Sequence, residues 1–258
     1  MGNLKKTTPY ISIKNMHKSF GTKKVIQGID LEINEGESFV IVGGSGSGKS
    51  VLIKCMMGLI QPDSGDININ GEDVSNLSLS NKKKLFKDFG VLFQGGALFD
   101  SMKVWENIAF TLIRNKKLNN DEARKIALER LKAVDMDESS MDVYPSELSG
   151  GMQKRVALAR ATVDKPKVIF FDEPTTGLDP IVSGTINKLI KRTVKSLGAS
   201  AVTITHDMAS LRSIADRVGL LFKGKLIWVG TLEEMEKTDN PYIVQFINGK
   251  ENGPFTDN

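Results

Sequence analysis

An α/β fold is what this sequence predicts: a core of buried strands and helices, an antiparallel β layer, and a helical subdomain inserted into the core. Three observations lead there. Phe39 to Val42 is an apolar run that stops at a glycine-rich turn and is followed by an apolar-periodic segment, Val51 to Ile60. Val168 to Phe171 is a second apolar run, closed by Asp172 and Glu173. Between them, Val104 to Thr162 is mainly helical in pattern. Short apolar runs bounded by turn signals suit strands covered on both faces, as parallel sheets require.

Composition narrows the class. The 258 residues suffice for one large α/β domain, with 40% hydrophobic and 26% charged residues, an ordinary globular profile. Lys plus Arg number 35 against 31 Asp plus Glu, a net +4. That excess is too small to argue for nucleic acid, and it is compatible with work beside an anionic membrane surface. The one cysteine, Cys55, excludes an internal disulfide or a Cys-rich zinc module and points to a reducing cytoplasm. No run approaches the roughly 18 apolar residues that cross a bilayer. Met1 to Pro9 carries Lys5 and Lys6 without a following apolar stretch, so it is not read as a signal peptide. The expectation is a chain that reaches a membrane only through a partner.

Taken in order, Tyr10 to Asn15 alternates with period two, Val25 to Ile33 does so with a break, and Asp66 to Asn70 does so again between Gly65 and Gly71. These segments are the expected antiparallel layer. Phe20, next to Gly21, falls on the loop between the first two strands, where its ring either packs or stacks on a purine. Gly43 to Ser50 then matches G-x-x-x-x-G-K-[ST], the P-loop pattern. Backbone N–H groups must converge on phosphate oxygens there, and side chains would block the approach. The phosphates are therefore expected on Gly43, Gly44, Ser45, Gly46, Ser47, Gly48, Lys49, Ser50 and Val51. Lys49 adds a point charge for the β- and γ-phosphates, and the Ser50 hydroxyl can ligate Mg²⁺.

Ser80 to Phe89 carries Lys82, Lys83, Lys84 and Lys87, a solvated helix face by default and a lipid-headgroup contact as the minority reading. Gly90 to Phe93 reads as a strand ending at Gln94, which places that amide at the carboxyl edge of the sheet. Asn119-Asn120-Asp121 is a start signal for a helix over Glu122 to Val134. Ser149, Gly150 and Gly151 precede a helical run, Met152 to Thr162, whose N-terminus is either a plain cap or a second anion site. Asp172 and Glu173 close their strand as adjacent carboxylates, one suited to Mg²⁺ and the other to polarising a water. Ile181 to Leu197 reads as a helix and Ala199 to Thr205 as a strand that delivers His206. Arg217 to Phe222 and Lys225 to Val229 are strands joined at Lys223-Gly224. Thr231 to Glu236 starts a short helix, and Asn240 to Asn258 reads as a tail.

In content and order, the P-loop, Gln94, Leu148-Ser149-Gly150-Gly151, the Asp172-Glu173 strand, Gly177-Leu178-Asp179 and His206 resemble the ATP-binding cassette family over nearly the whole chain. The resemblance implies a P-loop NTPase (RecA-like) core with an ATPase domain at 1–238, a helical subdomain inserted at about 95–163, and a tail at 239–258. It implies ATP and Mg²⁺ as cofactors, with Phe20 stacking on adenine, Gln94 linking Mg²⁺ to the transport partner, and Asp172 on the metal. Glu173 would be the catalytic base, Asp179 the residue communicating across a dimer, and His206 the γ-phosphate switch. One copy of each motif makes half a site, so the implied assembly is a head-to-tail homodimer in which Ser149, Gly150 and Gly151 close on the partner's nucleotide.

Finer features resemble the MlaF-type ATPases of Mce-associated lipid transporters. They are Met152 where the family more often has Gln, the stretch Phe93 to Asp100 with Glu106-Asn107-Ile108-Ala109, and Gln245 to Gly249 leading to Gly253-Pro254. That resemblance implies an integral-membrane permease, an Mce-domain protein and a small regulatory subunit as partners. It places the chain at the cytoplasmic face of a bacterial inner membrane, with phospholipid as cargo, and suggests that the tail meets the partner copy. Pro174 to Asp179 is more like the general importer pattern, so a small-solute importer stays open. A soluble cassette protein of DNA repair or translation is the other reading. Those usually carry long coiled-coil or zinc-bearing insertions, or two cassettes in one chain, and none of these is found here.

Overall fold

The computed structural model describes residues 9–74, 81 and 84–256. The chain forms two compact units, Met1–Lys82 with Ile204–Asn258, and Lys83–Thr203. Residues 1–8, and Lys82 and Lys83 of the lysine run, lie outside the described residues, whereas Lys84 and Lys87 are exposed. Among the described residues, no helix is long and apolar enough to cross a membrane.

The first unit opens with β1 (Ile11–Phe20), β2 (Lys23–Ile33), β3 (Ser38–Val42), α1 (Lys49–Met56), β4 (Ser64–Ile69) and β5 (Glu72–Asp73). An antiparallel sheet of order β2-β1-β4-β5 buries Ile11, Ile13, Met16, Ile29, Ile33, Ile67 and Ile69. This is the expected β layer, with one correction: Phe20 is the last residue of β1 rather than a loop residue. Asn15 takes a left-handed backbone (φ 45), and the pairing register shifts between Ile13 and Met16. The bulge resets the alternation, so the strand runs on where the period-two pattern stops.

The second unit holds β6 (Phe89–Leu92), α2 (Val104–Lys116), α3 (Asn120–Ala133), α4 (Gly150–Thr162), β7 (Val168–Asp172), α5 (Pro180–Leu197) and β8 (Ser200–Ile204), at whose end the chain returns to the first unit. Strands β8, β7 and β6 lie in that order, and β6 pairs with β7 in parallel, Phe89 against Val168 through Leu92 against Phe171. The first four residues of β7 are buried, which is why the run reads as continuously apolar. Helix α4 packs against β6 so closely that a Cβ on Gly90 would collide with the Ala161 carbonyl. The Asn119 side chain caps α3 by accepting from Glu122 N, so the helix begins where the start signal stands.

Back in the first unit come α6 (Met208–Ile214), β9 (Arg217–Phe222), β10 (Lys225–Thr231), α7 (Leu232–Lys237) and α8 (Pro241–Asn248). Strand β3 pairs with β9 in parallel, and β9 with β10 antiparallel. The β3–β9 pair is pinned at its start. Asp216 Oδ2 accepts from Ser38 N at 2.9 Å, and Arg217 pairs with Glu37 at 2.9 Å. Helix α8 is a second departure from the sequence reading, which takes Asn240 onward as a tail. Asn240 caps it by accepting from Tyr242 N, Pro241 occupies its first turn, and Gly249 ends it at φ 60.

Candidate nucleotide site

Strand β3 is buried on both faces and delivers the chain to Gly43. That residue sits at φ 153, and a Cβ there would collide with the Leu221 carbonyl oxygen of β9, so only glycine fits. Gly46 (φ 72) and Gly48 (φ 108) turn the loop into the N-terminus of α1, where no side chain caps the free N–H groups. Gly44, Ser45 and Gly46 are exposed, Ser47 is buried and Ser50 is exposed. The Lys49 ammonium folds back over the loop, donating to Gly43 O at 2.9 Å and Gly44 O at 3.0 Å. The loop therefore presents backbone donors and a cation together, the two features a polyphosphate needs.

Two further predicted residues are in this unit. Phe20 is 49% exposed, open enough for stacking, with the Lys18 ammonium 5.4 Å from its ring centroid. His206 is exposed two residues past the end of β8, after the buried Thr205. Asp207 follows it as the cap of α6. Burial raises the Asp207 carboxyl, but hydrogen bonds from Ser210 and Ala209, with His206 nearby, hold it below the usual range.

The second unit carries the other predicted residues. Gln94 is exposed past the end of β6, before Gly95 (φ 76) and Gly96 (φ 82). Ser149 is the N-cap of α4; its hydroxyl accepts from Met152 N at 3.4 Å, and both it and Gly150 are exposed. The N-terminus of this 13-residue helix thus faces outward with a hydroxyl. A Cβ on Gly151 would meet Val182 of α5 at 2.8 Å, so the glycine lets two helix starts approach. Asp172 closes β7 and Glu173 follows in a left-handed conformation (φ 48), both half-buried. Asp179 caps α5 by accepting from Ile181 N and Val182 N.

Three side chains that sequence reading did not single out support these. Thr176 Oγ1 donates to Glu173 Oε2 at 2.9 Å. The Arg160 guanidinium donates to the carbonyls of Gly96 and Ala97 at 2.8 and 2.9 Å, fixing the loop after Gln94. Lys154, on the buried face of α4, is 4% exposed. Burial pushes its ammonium down, against the opposing pull of Glu173 and then Asp172. A signal for Lys154 was present: Lys154, Ala157, Leu158 and Ala161 share one helix stripe, and a lysine does not belong on it.

Among the described residues, no group of three or more His, Cys, Asp or Glu is placed to hold a metal ion. Mg²⁺ asks for less, one or two hard oxygen ligands with the rest supplied by phosphates and water, and the Ser50 hydroxyl and Asp172 carboxylate are of that kind.

A phosphate-cradling loop between a buried strand and a helix, in a chain with another buried strand that ends in two carboxylates, defines a P-loop nucleoside triphosphatase. The family model described as ABC transporter matches residues 26–176, and this chain belongs to that family. It is 39% identical over 246 residues to the probable ribonucleotide transport ATP-binding protein mkl of Mycobacterium leprae (strain TN), covering 95% of this chain and 70% of that protein. It is 37% identical over 244 residues to the intermembrane phospholipid transport system ATP-binding protein MlaF of Haemophilus influenzae (strain ATCC 51907 / DSM 11121 / KW20 / Rd), covering 95% and 92%. Among solved structures, the dimeric post-hydrolysis ATP-binding cassette MJ0796 bound to ADP and Pi is 32% identical, covering 86% of this chain and 98% of that one with a TM-score of 0.79. The fold class read from the sequence therefore stands. The chain is an ATP hydrolase, the ATPase subunit of a transporter.

Proposed function

We propose that this chain hydrolyses ATP as one half of a head-to-tail homodimer and so drives a separate permease that moves phospholipid, at the cytoplasmic face of a bacterial inner membrane. The observation that carries the dimer is the exposed N-terminus of α4: Ser149 and Gly150 offer a hydroxyl and unobstructed N–H groups outward. In this reading they close, with Gly151, on the γ-phosphate held by the partner's P-loop. The P-loop amides and Lys49 hold the β- and γ-phosphates, and Phe20 stacks on the base. Glu173 accepts a proton from the attacking water, and His206 contacts the γ-phosphate. Ser50 and Asp172, together with Gln94, are the residues that would hold Mg²⁺, which would supply charge neutralisation on the phosphate oxygens. The dimer is a ligand-driven population shift, with ATP favouring the closed state and hydrolysis releasing it.

The cargo rests on the match to MlaF over nearly its full length, together with Met152 and the Gln245 to Gly249 stretch. An Mce-domain protein and a small regulatory subunit complete that assembly, and the C-terminal segment meets the second copy. The match to mkl, named for ribonucleotide transport, favours a second reading in which the same ATPase drives a solute importer. One experiment separates them. The Glu173→Gln chain, tagged and ATP-bound, is extracted from its native membrane in mild detergent and its proteins and lipids are identified. A closed dimer with a permease, an Mce-domain protein and phospholipid supports the proposal. A permease with a solute-binding protein replaces the cargo, and a monomer without a permease removes the assembly.

A further inference from the structure

Helix α4 presents Lys154, Ala157, Leu158 and Ala161 along one buried stripe, three small or apolar residues and one lysine. The Lys154 Nζ is withdrawn from water and makes no hydrogen bond among the described residues. An ammonium in that position is costly unless opposite charge compensates it, and an apolar side chain of equal length would serve the packing better. The opposite charge stands at the end of β7, where Glu173 and then Asp172 exert the electrostatic pull on it. Glu173 is also held at φ 48, a backbone conformation that a glutamate adopts only when its surroundings impose it.

We propose that Lys154 is a positioning residue for hydrolysis: its buried charge attracts the Glu173 carboxylate and holds it where it meets the attacking water. The proposal rests on the reading of Glu173 as the base. Lys154 acts through Glu173 by charge, without a directional bond. The stripe gives up packing quality at this position for that charge.

The test is a double-mutant cycle on the full chain: wild type, Lys154→Met, Glu173→Gln and the pair, with steady-state and single-turnover ATP hydrolysis, ATP affinity and nucleotide-free Tm. Methionine keeps the volume and removes the charge. The expected result for Lys154→Met is a kcat lowered about tenfold or more, a part of the roughly 10²–10⁴-fold that a general base contributes, with KM and ATP affinity unchanged. Its Tm stays equal or rises, because a buried charge without a hydrogen-bond partner has been removed. In the Glu173→Gln background the same substitution costs nothing further, since the group it acts through is gone. Lys154→Met at wild-type kcat, beside an inactive Glu173→Gln, overturns the inference alone. A loss that is equal in both backgrounds, or that follows a lowered Tm, overturns it in favour of packing. Wild-type hydrolysis by Glu173→Gln removes the base itself, and the inference with it.

Discussion

Thr176 Oγ1 donates to Glu173 Oε2 at 2.9 Å, across a turn that the Thr176 N–H also closes on the Glu173 carbonyl at 3.3 Å. The carboxylate is thus fixed by its own loop: its backbone is left-handed, and one of its oxygens is held by a charge-assisted bond. Thr176→Val keeps the shape and removes the donor. It is expected to lower kcat about tenfold, leaving the KM for ATP unchanged, because the bond orients a base and does not bind substrate. Thr176→Ser should retain most of the rate. A valine variant with full kcat would show that the turn alone orients Glu173.

Glycines of the same loop are not equivalent. Gly43 has no room for a Cβ beside the Leu221 carbonyl, whereas nothing lies within 4 Å of one on Gly44. Gly43→Ala should destabilise the chain by about 3 kcal/mol, the upper range for overpacking, since backbone cannot yield as a side chain does. Gly44→Ala should leave stability near wild type. Urea unfolding of both variants without nucleotide measures the difference, and equal midpoints would mean that the β3–β9 pair gives way more easily than its pinned start suggests.

Features that depend on a few consecutive residues were legible in the sequence. The P-loop could be read because strand, glycines and helix start all lie within a dozen residues, and the Asp172-Glu173 strand because its apolar run is uninterrupted. Phe20 was misplaced because the bulge at Asn15 breaks the alternation without ending β1. Helix α8 was missed because Pro241 and Gly249 read as tail composition, although one marks its first turn and the other its end. Thr176 and Arg160 give no local signal, and Lys154 gives one, a lysine on an apolar helix stripe, that says nothing of its purpose. Each matters only through what the fold sets beside it: a carboxylate, two loop carbonyls, and the end of β7.

The segment after α8 turns back onto β9. Phe255 packs edge-on against Phe222 and Tyr242, with centroids 4.9 and 5.5 Å apart. Gln245 is buried beneath it, accepting from Phe255 N at 2.8 Å and donating to Lys250 O at 3.1 Å. Each edge-to-face pair contributes about 0.5–1.5 kcal/mol beyond area burial. Phe255→Ala should therefore lower stability by about 2 kcal/mol and make residues after Gly249 the first site of limited proteolysis. An unchanged cleavage pattern would assign the anchoring to the Gln245 bonds instead.

Acid stability should reveal the tie between α3 and the segment before α4. Arg124 makes a bidentate pair with Asp142, and the hydrogen bonds from Arg124 hold the Asp142 carboxyl down to about 2, with a lesser contribution from Lys103. Asp142 is flanked by two residues whose carbonyls accept from helix α2, Met141 from Trp105 N and Val143 from Val104 N, so the pair clamps α3 to the start of α2. An unfolded aspartate titrates near 3.9, so below about pH 4 the unfolded chain binds the proton first. The contribution of the pair is complete above that pH and disappears as the pH falls toward 2. Asp142→Asn removes it while leaving Arg124 over the Trp105 ring, 5.5 Å from its centroid. Wild type should therefore exceed the variant in stability at neutral pH, by the small margin of an exposed pair. The two unfolding curves should converge between about pH 4 and pH 2. A gap that persists undiminished at pH 2 would point to the shape of the asparagine, since by then the unfolded aspartate is protonated and most of the contribution of the pair is lost.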